Sequence, residues 1–209
     1  MKKDPGGTTS VALVYPNTYK VGMSNLAVHS LYKIFNDHPN FSCERAFLPE
    51  KKDWVEHERT DTPILTVETQ KQISEFDIVA FTISFENDLL NVVPILKLCK
   101  IPLKPQDRGP DHPSIIAGGA AVTLNPKPMS GIANACILGE FEAYDPEGLL
   151  RGGTSAASDS SKVSPGTTPK NPTSQESLVS LVTPPRCKTI SDNTMSCATQ
   201  GYALLGHCD

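Results

Sequence analysis

The sequence lacks the marks of a membrane, secreted or nucleic-acid-binding protein. Its 209 residues hold no apolar run approaching the roughly 18–20 that a transmembrane helix needs. The opening MKKDPGGTTS has lysines but no apolar stretch behind them, so it does not read as a secretory signal. Lys and Arg (19) are fewer than Asp and Glu (23) and form no stripe, which removes the electrostatic footprint of a nucleic-acid binder. No Gly-x-Gly-x-x-Gly follows an apolar strand-like run and no phosphate-type loop appears, which weighs against a flavin or nucleotide site. The expectation is a cytoplasmic protein. Hydrophobic content is low, at 38%, with 14 glycines and 18 prolines, but that average conceals two unlike parts.

The first two thirds read as globular. Val11-Ala-Leu-Val-Tyr15 is a buried-strand run closed by Pro16-Asn17. Met23, Leu26, Leu31, Ile34 and Phe35 then recur at helical spacing until Asn36-Asp37-His38-Pro39. FSCERAFL (Phe41 to Leu48) suits a second strand, Pro49 to Thr62 a charged loop with one helical turn, and Ile64 to Val67 a short extended piece. DIVAFTISF (Asp77 to Phe85) is the strongest strand signal, apolar nearly throughout as in a parallel strand covered on both faces. Leu89 to Leu98 returns to helical spacing, with Pro94 as a local flaw. Ser114 to Gly119 is another buried strand, Pro126 to Ile132 a short helix, and Ala135 to Leu138 a last strand. This alternation predicts a doubly wound α/β domain, flavodoxin-like or Rossmann-like, with a parallel sheet of about five strands over residues 1–145. Residues 146–209 are expected to be a disordered tail, because RGGTSAASDSSKVSPGTTPKNPTSQES is rich in Ser, Thr and Pro and has almost nothing large to bury.

Ligands of open α/β sheets sit outside the carboxyl ends of the strands. In this chain those ends read Pro16 to Leu26, Ser84-Phe-Glu-Asn-Asp88, Gly118-Gly-Ala-Ala-Val-Thr123 and Gly139-Glu-Phe-Glu142. One glycine after a strand is ordinary punctuation, whereas four small or polar ends together favour a ligand that approaches the backbone closely. Other candidates are weaker. His29 has no partner at i±4 and reads as a packed or surface histidine; His57 and His112 lack metal-like spacing. Glu86, Asn87 and Asp88 read as helix-capping chemistry. Glu140 and Glu142 have no nucleophile or second acid beside them. Cys43, Cys99 and Cys136 read as small buried hydrophobes.

The segments YPNTYKVGMSNLAVHSLYKIFN, CERAFLPE, FDIVAFTISFENDLLNV, PSIIAGGAAVTLNPKPM and ILGEFE resemble, in order and spacing, the N-terminal region of a family of cobalamin-binding radical SAM proteins. The resemblance spans roughly residues 10–143. It implies a corrinoid held over the carboxyl edge of the sheet, with Asn17, Tyr19, Gly22, Ser84, Gly118, Gly119, Gly139 and Glu140 as the cofactor-binding positions. In cobalamin-binding domains generally, as in methionine synthase, the loop after the first strand carries Asp-x-His-x-x-Gly, whose His is the lower ligand of cobalt. This sequence has Asn17-Thr-Tyr19-Lys-Val-Gly22 there. Ser84 maps onto the serine that meets the nucleotide tail, and Gly118-Gly119 onto the Gly-Gly of the next loop.

The departure has chemical content. Neutral imidazole is a good ligand for a transition metal and un-ionised phenol a poor one. With Tyr19 in the histidine slot, cobalamin would have no protein-derived lower ligand; alternatively, the pocket is degenerate and the domain is a flavodoxin-like scaffold that binds no cofactor. The family's 4Fe–4S cluster and S-adenosylmethionine require Cys-x-x-x-Cys-x-x-Cys, which is absent. Cys187, Cys197 and Cys208 are spaced too widely for one cluster loop, and too little sequence remains for a catalytic barrel. No metal or catalytic residue is therefore expected in this chain, which on its own is not expected to catalyse radical chemistry. A radical SAM catalytic domain, in the same operon or reading frame, is the expected partner. The change of texture after Glu142 is read either as a shifted or truncated frame or as a genuine linker.

Overall fold

The computed structural model describes residues 6–141. Five strands form one sheet: β1 (Thr9–Thr18), β2 (Phe41–Leu48), β3 (Ile78–Thr82), β4 (Ser114–Gly118) and β5 (Ala135–Cys136), in the order β2-β1-β3-β4-β5. Every pairing is parallel, so each connection crosses over a face of the sheet. The expected α/β architecture is what the chain adopts, and its strand order is that of flavodoxin. The expected disordered tail, and the boundary at 145, lie outside the described residues.

Six helices connect the strands among the described residues: α1 (Tyr19–Gly22), α2 (Leu26–Asp37), α3 (Lys51–Thr60), α4 (Leu89–Leu98), α5 (Ala120–Leu124) and α6 (Lys127–Ser130). Alternation along the strands divides the core into two layers. Ala12, Val14, Val79, Phe81, Ile115 and Ala117 face α4, α5 and α6, through Val92, Ile95, Leu96, Val122 and Met129. Val11, Leu13, Tyr15, Ile78, Ala80 and Ile116 face the opposite side, where α2 brings Val28, Leu31 and Phe35. The helix α2 starts at Asn25, whose side chain accepts from the Ala27 amide at 2.9 Å.

Three expectations need correcting. The Pro49–Thr62 stretch is not a loop with one turn, because α3 runs ten residues through it. It buries none of them, so it leaves no apolar period to read. The β3 strand is shorter than Asp77 to Phe85. Asp77 turns its carboxylate onto the Ser10 amide and hydroxyl, at 2.9 and 2.7 Å, and Ile83 leaves the ladder after one bond to the Gly118 carbonyl. The β5 strand stops at Cys136 rather than Leu138.

Candidate functional site

The connection from β1 to β2 leads to one side of β1, and the connection from β2 brings the chain back to β3 on the other. The crevice between the carboxyl ends of β1 and β3 is therefore the topological switch point. Side-chain hydrogen bonds bridge it. Asn17 Nδ2 donates to Asp88 Oδ1 at 2.7 Å, while Asn17 Oδ1 accepts from the Thr18 amide at 2.8 Å. Asn91 Nδ2 donates to the Pro16 carbonyl at 2.9 Å, and Asn25 Nδ2 to Ser84 Oγ at 2.9 Å. Asp88 is buried and its Oδ2 has no hydrogen-bond partner. Burial pushes its carboxyl pKa up, against the opposing pull of the Asn17 amide. Asp88 sits at the head of α4 without making a side-chain cap there, so the capping role expected of it is replaced by this cross-crevice bond.

Tyr19 begins α1, is 54% exposed, and meets the Phe47 ring edge-on with centroids 5.2 Å apart. Gly22 is buried, and a Cβ there would run into the Phe47 ring, so this glycine lets α1 lie against β2. Gly119 has φ +102, and a Cβ on it would lie 2.5 Å from the Ile83 carbonyl oxygen. That oxygen accepts the Ala121 amide at 3.1 Å, so glycine is demanded where α5 starts against the end of β3. A Cβ on Gly118 would make only ordinary contact with Ile137. The Gly139 amide donates to Thr123 Oγ1 at 3.0 Å, and Glu140 is exposed beside it. His29 bonds through Nε2 to the Met23 carbonyl at 2.9 Å, in keeping with a packed histidine.

A cleft of about 660 Å³ opens on the α2 side. Its floor is Leu13, Ala80, Ile116 and Ile137, and its wall is Ala27, Ser30, Leu31 and Phe35 of α2. Thr82, Gly118, Gly119, Gly139 and Glu140 form its end at the carboxyl edge. Small side chains at Ala27, Ser30 and Ala80 keep the space open between helix and sheet. Leu26 and Leu124 border it, each 79% exposed, while Tyr19, first residue of α1, and Phe85 (61% exposed), after β3, stand beyond its lining.

Gly118, Gly119, Gly139 and Glu140 thus come together at the cleft, whereas Asn17, Tyr19, Gly22 and Ser84 lie outside its lining. Sequence reasoning missed Asn25 and the bridging role of Asp88. Asn25 carried a usable signal as an N-cap residue before an apolar helix; the Asn17–Asp88 pairing spans 71 positions and carried none. Cys43 and Cys99 are buried, as expected, whereas Cys136, expected to be buried too, is half-buried; all three have free thiols. Among the described residues no three His, Cys, Asp or Glu side chains are placed to hold a metal ion. No helix there is long and apolar enough to cross a membrane. Cys187, Cys197 and Cys208 lie outside the described residues.

Residues 27–162 match the family described as radical SAM proteins, N-terminal. The chain belongs to this family. Its likeness to an uncharacterized protein of Methanocaldococcus jannaschii, 29% identical over 138 residues, covers 65% of this chain. This radical SAM N-terminal chain spans only 25% of the length of that relative. No solved structure matches it.

Proposed function

We propose that this radical SAM N-terminal domain binds a corrinoid, with the nucleotide tail entering the cleft between α2 and the sheet and the ring lying over its mouth. The observation that carries the reading is an apolar cleft of about 660 Å³ opening at the carboxyl edge of a parallel sheet. This volume suits a small-molecule site, and this edge is where such folds bind ligands. The exposed Leu26 and Leu124 offer apolar contact to a ring. At the start of α1, Tyr19 presents a phenol and no imidazole, and His29 is engaged by the Met23 carbonyl. The lower face of cobalt would therefore have no protein nitrogen. The domain would work with a catalytic barrel that supplies the iron–sulfur cluster and S-adenosylmethionine, in the same or another chain.

The scaffold reading has its own support. Gly22 and Gly119 each have a packing reason to be glycine, and Asn17 and Ser84 each have an internal partner, so part of the motif serves the fold. Absorbance titration of the full chain with cob(II)alamin separates the two. The corrinoid reading predicts a saturable spectral change, weakened at least about tenfold by Ser30→Trp, which fills the cleft from α2, with circular dichroism unchanged. A spectrum identical to that of free cofactor at all protein concentrations establishes the scaffold.

A further inference from the structure

The ten-residue helix α3 buries none of its side chains, and only Trp54 and His57, one turn apart, are half-buried. His57 serves the end of its own helix, with Nδ1 2.8 Å from the Thr62 carbonyl oxygen. Trp54 is therefore the residue that seats α3 on the core shared with α4. Being half-buried, its indole meets that core and still presents surface outward.

A pocket of about 460 Å³ lies there, between α3 and α4 at the carboxyl end of β2. It shares no lining residue with the cleft on the α2 side. Trp54 and Val55 of α3, Leu48 at the end of β2 and Pro94 of α4 give it apolar walls. Pro94 keeps the space open, because its ring is short and rigid where most helical residues would extend a longer side chain. Asn91 also lines the pocket, but its Nδ2 is donated to the Pro16 carbonyl at 2.9 Å. The charge of the lining is left to Lys51, which is exposed and makes no ion pair among the described residues.

We propose that this pocket binds a small planar aromatic anion, its ring against Trp54 and Pro94 and its acidic group at Lys51. The indole and the prolyl ring offer flat apolar faces, which favour an aromatic ring in offset contact over a flexible chain. The ammonium of Lys51 is a compact point charge that suits a carboxylate at the rim. The volume lies in the range of small-molecule sites. The proposal does not depend on what the cleft on the α2 side holds.

Trp54 is the only tryptophan of the chain, so its indole N–H gives a single resonance of its kind in a proton–nitrogen NMR spectrum. The test titrates the full chain, without any cofactor, with naphthoate and with the neutral naphthalenemethanol. The expected result is a saturable shift of the Trp54 indole resonance with naphthoate. Lys51→Gln, a change at an exposed side chain, should weaken naphthoate binding at least about threefold and leave naphthalenemethanol unchanged. Pro94→Phe fills the pocket from α4 and should abolish the shift with circular dichroism unchanged. The absence of a saturable shift with naphthoate would overturn the proposal, as would a naphthoate affinity unaltered by Lys51→Gln. A shift retained in a folded Pro94→Phe chain would put the probe elsewhere and overturn it as well; if that variant does not fold, the Lys51→Gln comparison decides. A Trp54 resonance that moves on dilution, with no probe present, would make the occupant a second copy and overturn it too. The corrinoid titration is read separately, so either proposal can fail alone.

Discussion

Asn17 and Asp88 stand 2.7 Å apart across the crevice between β1 and β3, amide nitrogen to carboxylate oxygen. With the Asn91–Pro16 and Asn25–Ser84 bonds, the pair ties together the segments that follow β1 and β3, at the place where this strand order puts a ligand. It leaves the second Asp88 oxygen buried and without a partner.

That geometry predicts a pH dependence. Burial raises the Asp88 pKa in the folded state, so the native chain holds a proton that the unfolded chain has released. The Asp88 contribution to stability is therefore greatest below the ordinary carboxylate pKa and falls as pH rises through the elevated folded value. Asp88→Asn keeps an acceptor for Asn17 and removes the titrating carboxyl, so the variant should lose the part of the pH dependence that Asp88 supplies. Urea denaturation at pH 4 and pH 8 checks this: the difference between variant and parent should be larger at pH 8.

Gly119 is predicted to be a folding position first. Gly119→Ala sets a Cβ 2.5 Å from the Ile83 carbonyl oxygen at φ +102, and should cost on the order of 2–3 kcal/mol. Gly139→Ala, also at positive φ but with open space around the new Cβ, should cost about 1 kcal/mol. Thermal unfolding of the two variants would rank them.

How far the sequence could be read follows from where each element buries its side chains. The β4 strand is legible as a short run of buried apolar side chains and α4 by burial at helical spacing, Val92, Ile95 and Leu96; Pro94 lies within α4 without ending it. The α3 helix is exposed and charged and left no pattern, and α1 and α5, of four and five residues, are too short to show one. At the site, the carboxyl ends were legible from the order of the elements, and Gly118, Gly119, Gly139 and Glu140 do meet at the cleft. The motif could not reveal that Gly22 faces Phe47, or that Asn17 is spent on Asp88, because those partners are remote in sequence.

The thiols make a further prediction. Burial pushes the Cys43 thiol far up and the Cys99 thiol up to about 11, and Cys136 is shifted the same way. Thiolate is the reactive form, so at pH 8 alkylation of Cys43 and Cys99 in the native chain should be at least about tenfold slower than in urea. Peptide mapping after a timed iodoacetamide pulse measures this. Native-state labelling as fast as in urea would contradict the burial of both side chains.

The measurement closest to the central claim is electron paramagnetic resonance of cob(II)alamin in the presence of excess full chain. The unpaired electron of low-spin Co(II) points along the axial direction, so an axial nitrogen splits the cobalt lines. With the nucleotide tail drawn into the cleft and Tyr19 in place of a histidine, the bound spectrum should differ from that of the free cofactor and show no nitrogen splitting. A nitrogen-split spectrum, or one unchanged from free cob(II)alamin, would contradict the account.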